Sequence, residues 1–307
     1  MRRDKSPVDE PAPTADPTGA GISAYFCRHP GAGLEELTPL PVSLSGWGTE
    51  HMRGSAVTGA LARSAELAGG RRPGLRPVRF TVDLHTAATM ATVFTRSTVL
   101  REGGRLMLVD SELLQDGCVM ARARTLFLPT VEQDIDCPPW LPDRTPSTPS
   151  DHLQPITGEG RLFYSDGSGW DPDAGRHRNS ERKQVWCRAI PLVAGEKATS
   201  FQAAATVADL TNLVTHWGTE GVCHINADVT LVLARTPDVL AMGVSATGRV
   251  GAGSPSVGAA EMYDKHGVFG YATVATLLQP DRPMDTVTQL MRGPAIRDRR
   301  RKREDLE

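Results

Sequence analysis

An internal repeat restricts how this 307-residue chain can fold more than any other feature of its sequence. Ala56 opens the run Ala-Val-Thr-Gly-Ala-Leu-Ala-Arg-Ser-Ala-Glu-Leu-Ala, whose small and apolar residues return every three or four positions, as in a helix with a buried face. Strand-like alternation follows: Val78, Phe80, Val82 and Leu84 interleave with Arg79, Thr81, Asp83 and His85. Gly103-Gly104 and Asp116-Gly117 separate further alternating runs, and this half closes at Leu128-Pro129. The order then recurs. An apolar helix runs from Ala203, alternating strands start at Cys223, a turn falls at Lys265-His266-Gly267, and the last strand ends at Gln279-Pro280. Helix starts at 56 and 203, turn glycines at 117 and 267, and closing prolines at 129 and 280 lie 147, 150 and 151 residues apart. Two copies of a helix followed by antiparallel strands make an α+β chain.

The boundaries expected from this are an arm over 1–21, a first repeat over 22–129, a linker over 130–184, a second repeat over 185–282 and a charged tail over 283–307. The arm is rich in Pro, Asp, Ala and Gly and is expected to be disordered, and the tail carries Arg-Asp-Arg-Arg-Arg-Lys-Arg-Glu-Asp from Arg297. The linker is long for a compact connection, so it is expected to carry some order of its own, with Trp140, Phe163, Tyr164 and Trp170 as anchors. A net charge of −2 gives no reason to expect a nucleic-acid partner. No segment reaches the apolar length of a membrane span, and the N-terminus lacks the apolar stretch of a signal peptide. The five cysteines, Cys27, Cys118, Cys137, Cys187 and Cys223, show neither metal-ligand nor disulfide spacing, which fits a reducing cytoplasm. No metal site and no nucleotide cofactor fingerprint is expected.

The second helix, Gln202 to about His216, is apolar nearly all round, yet it carries Asp209, Asn212 and His216 at spacings of three and seven. On one continuous helix these would form a single polar stripe. A carboxylate in apolar surroundings either finds donors or has its pKa raised, and raised carboxylates serve general acid/base chemistry. Asp209 is therefore the leading catalytic candidate; the alternative is that it only fixes the helix by bonding an amide or Asn212. His216 either joins that site or simply complements the helix dipole near the helix end. On the following strand His224, Asn226, Asp228 and Thr230 share one polar face, which lines a pocket or faces water. His51 precedes the first helix, where a capping or surface role competes with a catalytic one. The stretch from Gly251 to Gly258 lacks the Lys-Ser/Thr of a phosphate loop, and no serine sits in a Gly-x-Ser-x-Gly elbow.

Five stretches in order resemble the acyl-CoA thioesterase family built as a double hotdog, in its actinobacterial branch. They are Arg-Pro-Val-Arg-Phe-Thr-Val-Asp-Leu from Arg76, Val-Leu-Arg-Glu-Gly-Gly-Arg from Val99, Val-Trp-Cys-Arg-Ala-Ile-Pro-Leu-Val-Ala-Gly-Glu from Val185, Val-Ala-Asp-Leu-Thr-Asn from Val207, and His-Ile-Asn-Ala-Asp-Val-Thr-Leu-Val-Leu-Ala-Arg-Thr-Pro from His224. The resemblance covers about residues 46–280. It implies a tandem hotdog, each long helix wrapped by a curved antiparallel sheet, the two sheets joining into one. It further implies a water held for attack on a thioester by an aspartate, matched by Asp209, a strand residue, matched by Asn226, and a glutamine, whose counted position is Ala275. Relatives usually begin the first helix with His-Gly-Gly, whereas here the sequence is His51-Met-Arg-Gly-Ser. Asn212, His216, Asp228 and Gly54 are expected to contact substrate, either acyl-CoA or an acyl carrier protein thioester. The resemblance leaves a homo-oligomer open. The alternatives are a dehydratase, isomerase or cyclase that pairs His51 with Asp209, and a non-catalytic acyl-binding protein.

Overall fold

In a computed structural model, residues 23–29, 34–48, 50–70, 72–130, 145–153, 160–251, 254–279 and 284 are described. The arm before 23, most of the tail, and Trp140 and Cys137 of the linker lie outside them.

The first half contains β1 (Phe26–His29), β2 (Glu36–Pro39), α1 (Gly54–Gly69), β3 (Leu75–Leu84), β4 (Val93–Glu102), β5 (Met107–Gln115) and β6 (Cys118–Pro129). The second contains β7 (Arg161–Ser165), β8 (Gly169–Asp171), β9 (Lys183–Arg188), α2 (Ser200–Ala208), α3 (Thr211–His216), β10 (Trp217–Gly218), β11 (Gly221–Val222), β12 (His224–Asn226), β13 (Asp228–Leu233), β14 (Ala241–Val250), β15 (Ser256–Asp264) and β16 (Gly267–Leu278). The repeat is structural: β4, β5 and β6 start at 93, 107 and 118, and β14, β15 and β16 at 241, 256 and 267, 148 or 149 residues on. Asp116-Gly117, with φ of 51° and 77°, and Gly267, with φ of 102°, make the tight turns that set these hairpins.

All but the β10–β11 hairpin join one antiparallel sheet of fourteen strands, in the order β1-β2-β4-β5-β6-β3-β13-β16-β15-β14-β9-β7-β8, with β12 also on β16. The two halves meet where β3 pairs with its own repeat, β13. Thr81 faces Thr230 there, 149 residues away in sequence, so the register falls on the repeat period itself. This is the tandem hotdog architecture expected from the sequence. The stretch expected to be a linker carries β7 and β8 from 161 to 171. Its anchors pair by ring contact, Tyr164 with Trp170 at 5.2 Å and Phe163 edge-on to Trp217 at 5.5 Å.

The helices fill the concave side. Ala56, Ala60, Leu61 and Ala65 of α1 and Ala204, Ala205 and Ala208 of α2 are buried, and the small side chains let the helices lie close to one another and to the sheet. Gly59 marks the closest approach, since a Cβ there would overlap Leu192 and Thr206. Phe80 and Phe201 cross edge to face at 5.5 Å between the two repeats, a pairing worth about 0.5–1.5 kcal/mol beyond burial. Buried Arg63 of α1 bonds Glu196 at 2.7 Å and Glu35 at 3.1 Å, fastening β2 and the turn after β9 to the helix. Among the described residues no helix is long and apolar enough to cross a membrane.

The second helix departs from expectation. It is not continuous to His216 but breaks at Asp209-Leu210, where the Leu210 amide bonds the Val207 carbonyl in a tighter three-residue turn. Asp209 reaches α1 and β12 through Ser55 and Asn226, Asn212 reaches β12 through the His224 carbonyl, and His216 reaches β15 and β16 through Ser256 and Thr276.

Replacing Gly59 by leucine overpacks the contact between α1 and α2. Urea unfolding is expected to show a loss of about 1–3 kcal/mol with an unchanged denaturant slope.

Candidate active site

At its N-terminus α1 has no side-chain cap of its own, because Arg53 stands at the cap position. The cap comes from the other repeat. Asp209, at the α2–α3 break, accepts a hydrogen bond from the Ser55 hydroxyl at 2.9 Å and another from the Ser55 amide. Its second oxygen accepts from Asn226 Nδ2 at 3.1 Å. Gly54 is required by this approach, since a Cβ at that position would collide with the Asp209 carboxylate. The helix N-terminus and three donors favour the charged form. Burial outweighs them and holds the Asp209 pKa above its ordinary value, with Ser55, Asn226 and the more distant Arg161 pulling the other way. The residue as a whole is half-buried, and its carboxyl lies deep among protein atoms.

Asn226 reaches Asp209 because β12 and β13 are separated by a bulge. Asn226 pairs with Thr276 and Thr230 with Thr273, four residues on one strand against three on the other. The extra residue at Ala227–Asp228 changes which face each side chain takes, so Asn226 and Val229 both turn inward. Asp228 turns outward, where its carboxylate accepts the Ala275 amide and lies opposite Asp83. Burial raises its pKa and Asp83 adds to the rise. Asp228 thus completes the strand ladder at the bulge, outside the Asp209 cluster.

The position expected to hold the family glutamine lies on β16. Ala275, reached by counting along the sequence, pairs with exposed Val257 on the outer face. The β16 residue that shares the inward face with Asn226 is Thr276, buried and bonded to the Ser256 carbonyl at 3.0 Å.

Asn212 donates to the His224 carbonyl at 2.8 Å, and His216 bonds Ser256 Oγ at 3.0 Å and Thr215 Oγ1 at 2.9 Å. Both are buried, and the bonds they make are to these groups rather than to the Asp209 carboxylate. His51 is exposed, and its backbone bridges to Thr89 and Ser45. No hydrogen bond joins its ring to Asp209, whose partners are Ser55 and Asn226. Of the residues singled out in sequence, the structure therefore gathers Asp209, Asn226 and Gly54. Ser55 and Thr276 were missed; a serine at the start of an uncapped helix was the available signal for the first. Among the described residues no group of histidines, cysteines and acids is arranged to hold a metal.

The sign of Asp209's shift is testable in stability. Between the unfolded value, about 3.9, and the higher folded value, the folded protein keeps a proton that the unfolded chain has lost. Wild-type stability is therefore expected to fall relative to Asp209→Asn as pH rises through that window, and to stay lower above it. Urea midpoints of the two proteins across pH measure this; a difference that grew in favour of wild type would show a lowered pKa instead.

Sequence models of the family place this architecture. The acyl-CoA thioesterase N-terminal domain matches residues 44–128 and the acyl-CoA thioesterase C-terminal domain matches residues 135–276. Among curated proteins no sequence match is found. Solved structures share the fold. The tesB protein of Mycobacterium avium subs paratuberculosis superposes with a TM-score of 0.57 at 15% identity, over 82% of this chain and 95% of that one. A hot dog fold protein from Alicyclobacillus acidocaldarius gives 0.59 at 13% identity, over 83% and 96%. With both halves matched in order and the fold in agreement, the chain belongs to the acyl-CoA thioesterase family.

Proposed function

We propose that the chain hydrolyses an acyl thioester, acyl-CoA or acyl carrier protein, with Asp209 as general base. The observation that carries this reading is a buried carboxylate of raised pKa, held between Ser55 and Asn226 where the two repeats meet. A base whose pKa is raised toward the working pH is a better proton acceptor than an ordinary aspartate. In the proposed reaction Asp209 takes a proton from water as the water oxygen attacks the thioester carbonyl. The Gly54 amide at the start of α1 stabilises the oxyanion that forms, the Ser55 amide being bonded to Asp209 and the Ala56 and Val57 amides to the Arg53 carbonyl. Collapse breaks the C–S bond, and the proton held by Asp209 passes to the departing thiolate, leaving a carboxylic acid, a thiol and the regenerated carboxylate. Asn226 orients the base and the water, and Thr276 supplies the polar group of β16 on the same face.

The dehydratase, isomerase or cyclase alternative needs His51 beside Asp209, and the hydrogen bonds that Asp209 accepts come from elsewhere. Assignment to the actinobacterial branch, supported by the five sequence stretches, and a reducing cytoplasm, supported by Cys27, Cys118, Cys187 and Cys223 standing outside any disulfide among the described residues, belong to the same reading.

Release of free thiol from a panel of acyl-CoAs, followed with a chromogenic thiol reagent, tests it. Asp209→Ala is expected to lose about 10²-fold or more in kcat and Asn226→Ala a smaller factor, while His51→Ala stays close to wild type. Undiminished release in Asp209→Ala would remove Asp209 from the reaction.

A further inference from the structure

A cavity of about 520 Å³ opens at the end of α3 remote from Asp209. His216 and Trp217 wall it from the helix end, His224 from β12, Thr247 from the β14 bulge, and Arg182 and Arg249 from its sides. Two elements run from the Asp209 site to it. From Asn226 to His224 is two strand residues, about 7 Å, and the six residues of α3 span about 9 Å.

The lining is polar and carries two guanidiniums, Arg182 and Arg249, beside two carboxylates, Glu181 and Glu220. The His216 and His224 rings stack 4.7 Å apart at 34°. Burial pushes His216 down to about 4, with His224 and Arg249 adding to the shift, so its ring is neutral at pH 7; no carboxylate is among the groups that act on it. Arg182 pairs with Asp166 at 3.5 Å and donates to Ser245 Oγ at 3.3 Å, whereas Arg249 bonds the Gly251 carbonyl and makes no ion pair among the described residues. Of the two acids at the rim, Glu181 is engaged by the Gly167 amide at 2.9 Å and Glu220 is exposed. A plain hydrocarbon tail gains nothing from two arginines, whereas an anion does.

We propose that this cavity receives a carboxylate at the far end of the acyl group, so that the substrate is the monothioester of a dicarboxylic acid. Distance separates this from the other anion in the substrate, the phosphates of CoA. The pantetheine arm holds those phosphates well beyond the span between Asp209 and the cavity. The proposal rests on the thioesterase reading for the other end of the acyl group.

The test compares suberoyl, with its free carboxylate, and octanoyl, each as the CoA and the N-acetylcysteamine thioester. Wild type is expected to favour suberoyl about tenfold in kcat/KM on both carriers, the worth of one charge-assisted hydrogen bond. Arg249→Met is expected to bring that ratio near one. Gly248→Leu does the same by filling the cavity, and a Cβ at Gly248 meets open space, so the fold tolerates it. Equal turnover of suberoyl and octanoyl in wild type, or a preference that survives both substitutions, overturns the proposal. So does an effect of Arg249→Met on CoA esters irrespective of the acyl end, which assigns the site to phosphate. If no thioester is hydrolysed, the thioesterase reading fails by itself. Calorimetry with the same CoA esters then decides the cavity: tighter suberoyl binding upholds it, and equal binding overturns it.

Discussion

Asp209 is carried by one repeat and spends its hydrogen bonds on the other, and most of the site's geometry follows from that contact. The Ser55 amide at the start of α1 needs an acceptor that Arg53 does not supply, and the Asp209 carboxylate is that acceptor. To deliver it, the second helix tightens and breaks at Val207–Leu210, and α1 gives up a side chain at Gly54 so that the carboxylate can come close. The cost is a carboxylate deep among protein atoms, where burial outweighs its donors and raises its pKa. Capping and basicity are two consequences of one placement.

The sheet fixes where the partners of Asp209 stand. Pairing β3 with β13 puts Thr81 opposite Thr230 and joins the repeats about their own symmetry, so the N-terminus of α1 and the α2–α3 break face each other across the junction. The bulge at Ala227–Asp228 then lets β12 present Asn226 to the inside while β13 still buries Val229 and Leu231. Asp228 satisfies the Ala275 amide that the bulge leaves without a backbone acceptor. An acid that looks functional in sequence is thus accounted for by the strand ladder.

The repeat was legible because it is written in local patterns: period-two alternation, turn glycines and small residues at helical spacing. The features read less well all depend on contacts distant in sequence. Nothing in Val-Ala-Asp-Leu-Thr-Asn marks a helix end, because the break answers to Ser55, 154 residues away. A one-residue bulge leaves hydropathy unchanged yet reverses the facing of the side chains after it, which is why Asn226 and Asp228 look alike in sequence but take opposite faces. Asn212 and His216 were grouped with Asp209 on one helix face, but their hydrogen bonds go to the His224 carbonyl, Ser256 and Thr215 rather than to the carboxylate. Asp209 was recoverable from sequence because a polar residue in an apolar run demands a partner wherever the backbone turns, whereas Asn226, on a wholly polar strand face, was singled out by the family resemblance.

The central claim is that Asp209 acts on water rather than on the acyl carbon. A single turnover in ¹⁸O-enriched water, with enzyme in excess over acyl-CoA and mass analysis of both products and protein, tests it most directly. Attack by a water that Asp209 deprotonates places the label in the released acid and leaves the peptide containing Asp209 unlabelled. Label appearing in that peptide, with the first acid released unlabelled, would mean that Asp209 itself attacks to form an anhydride, and would contradict the account.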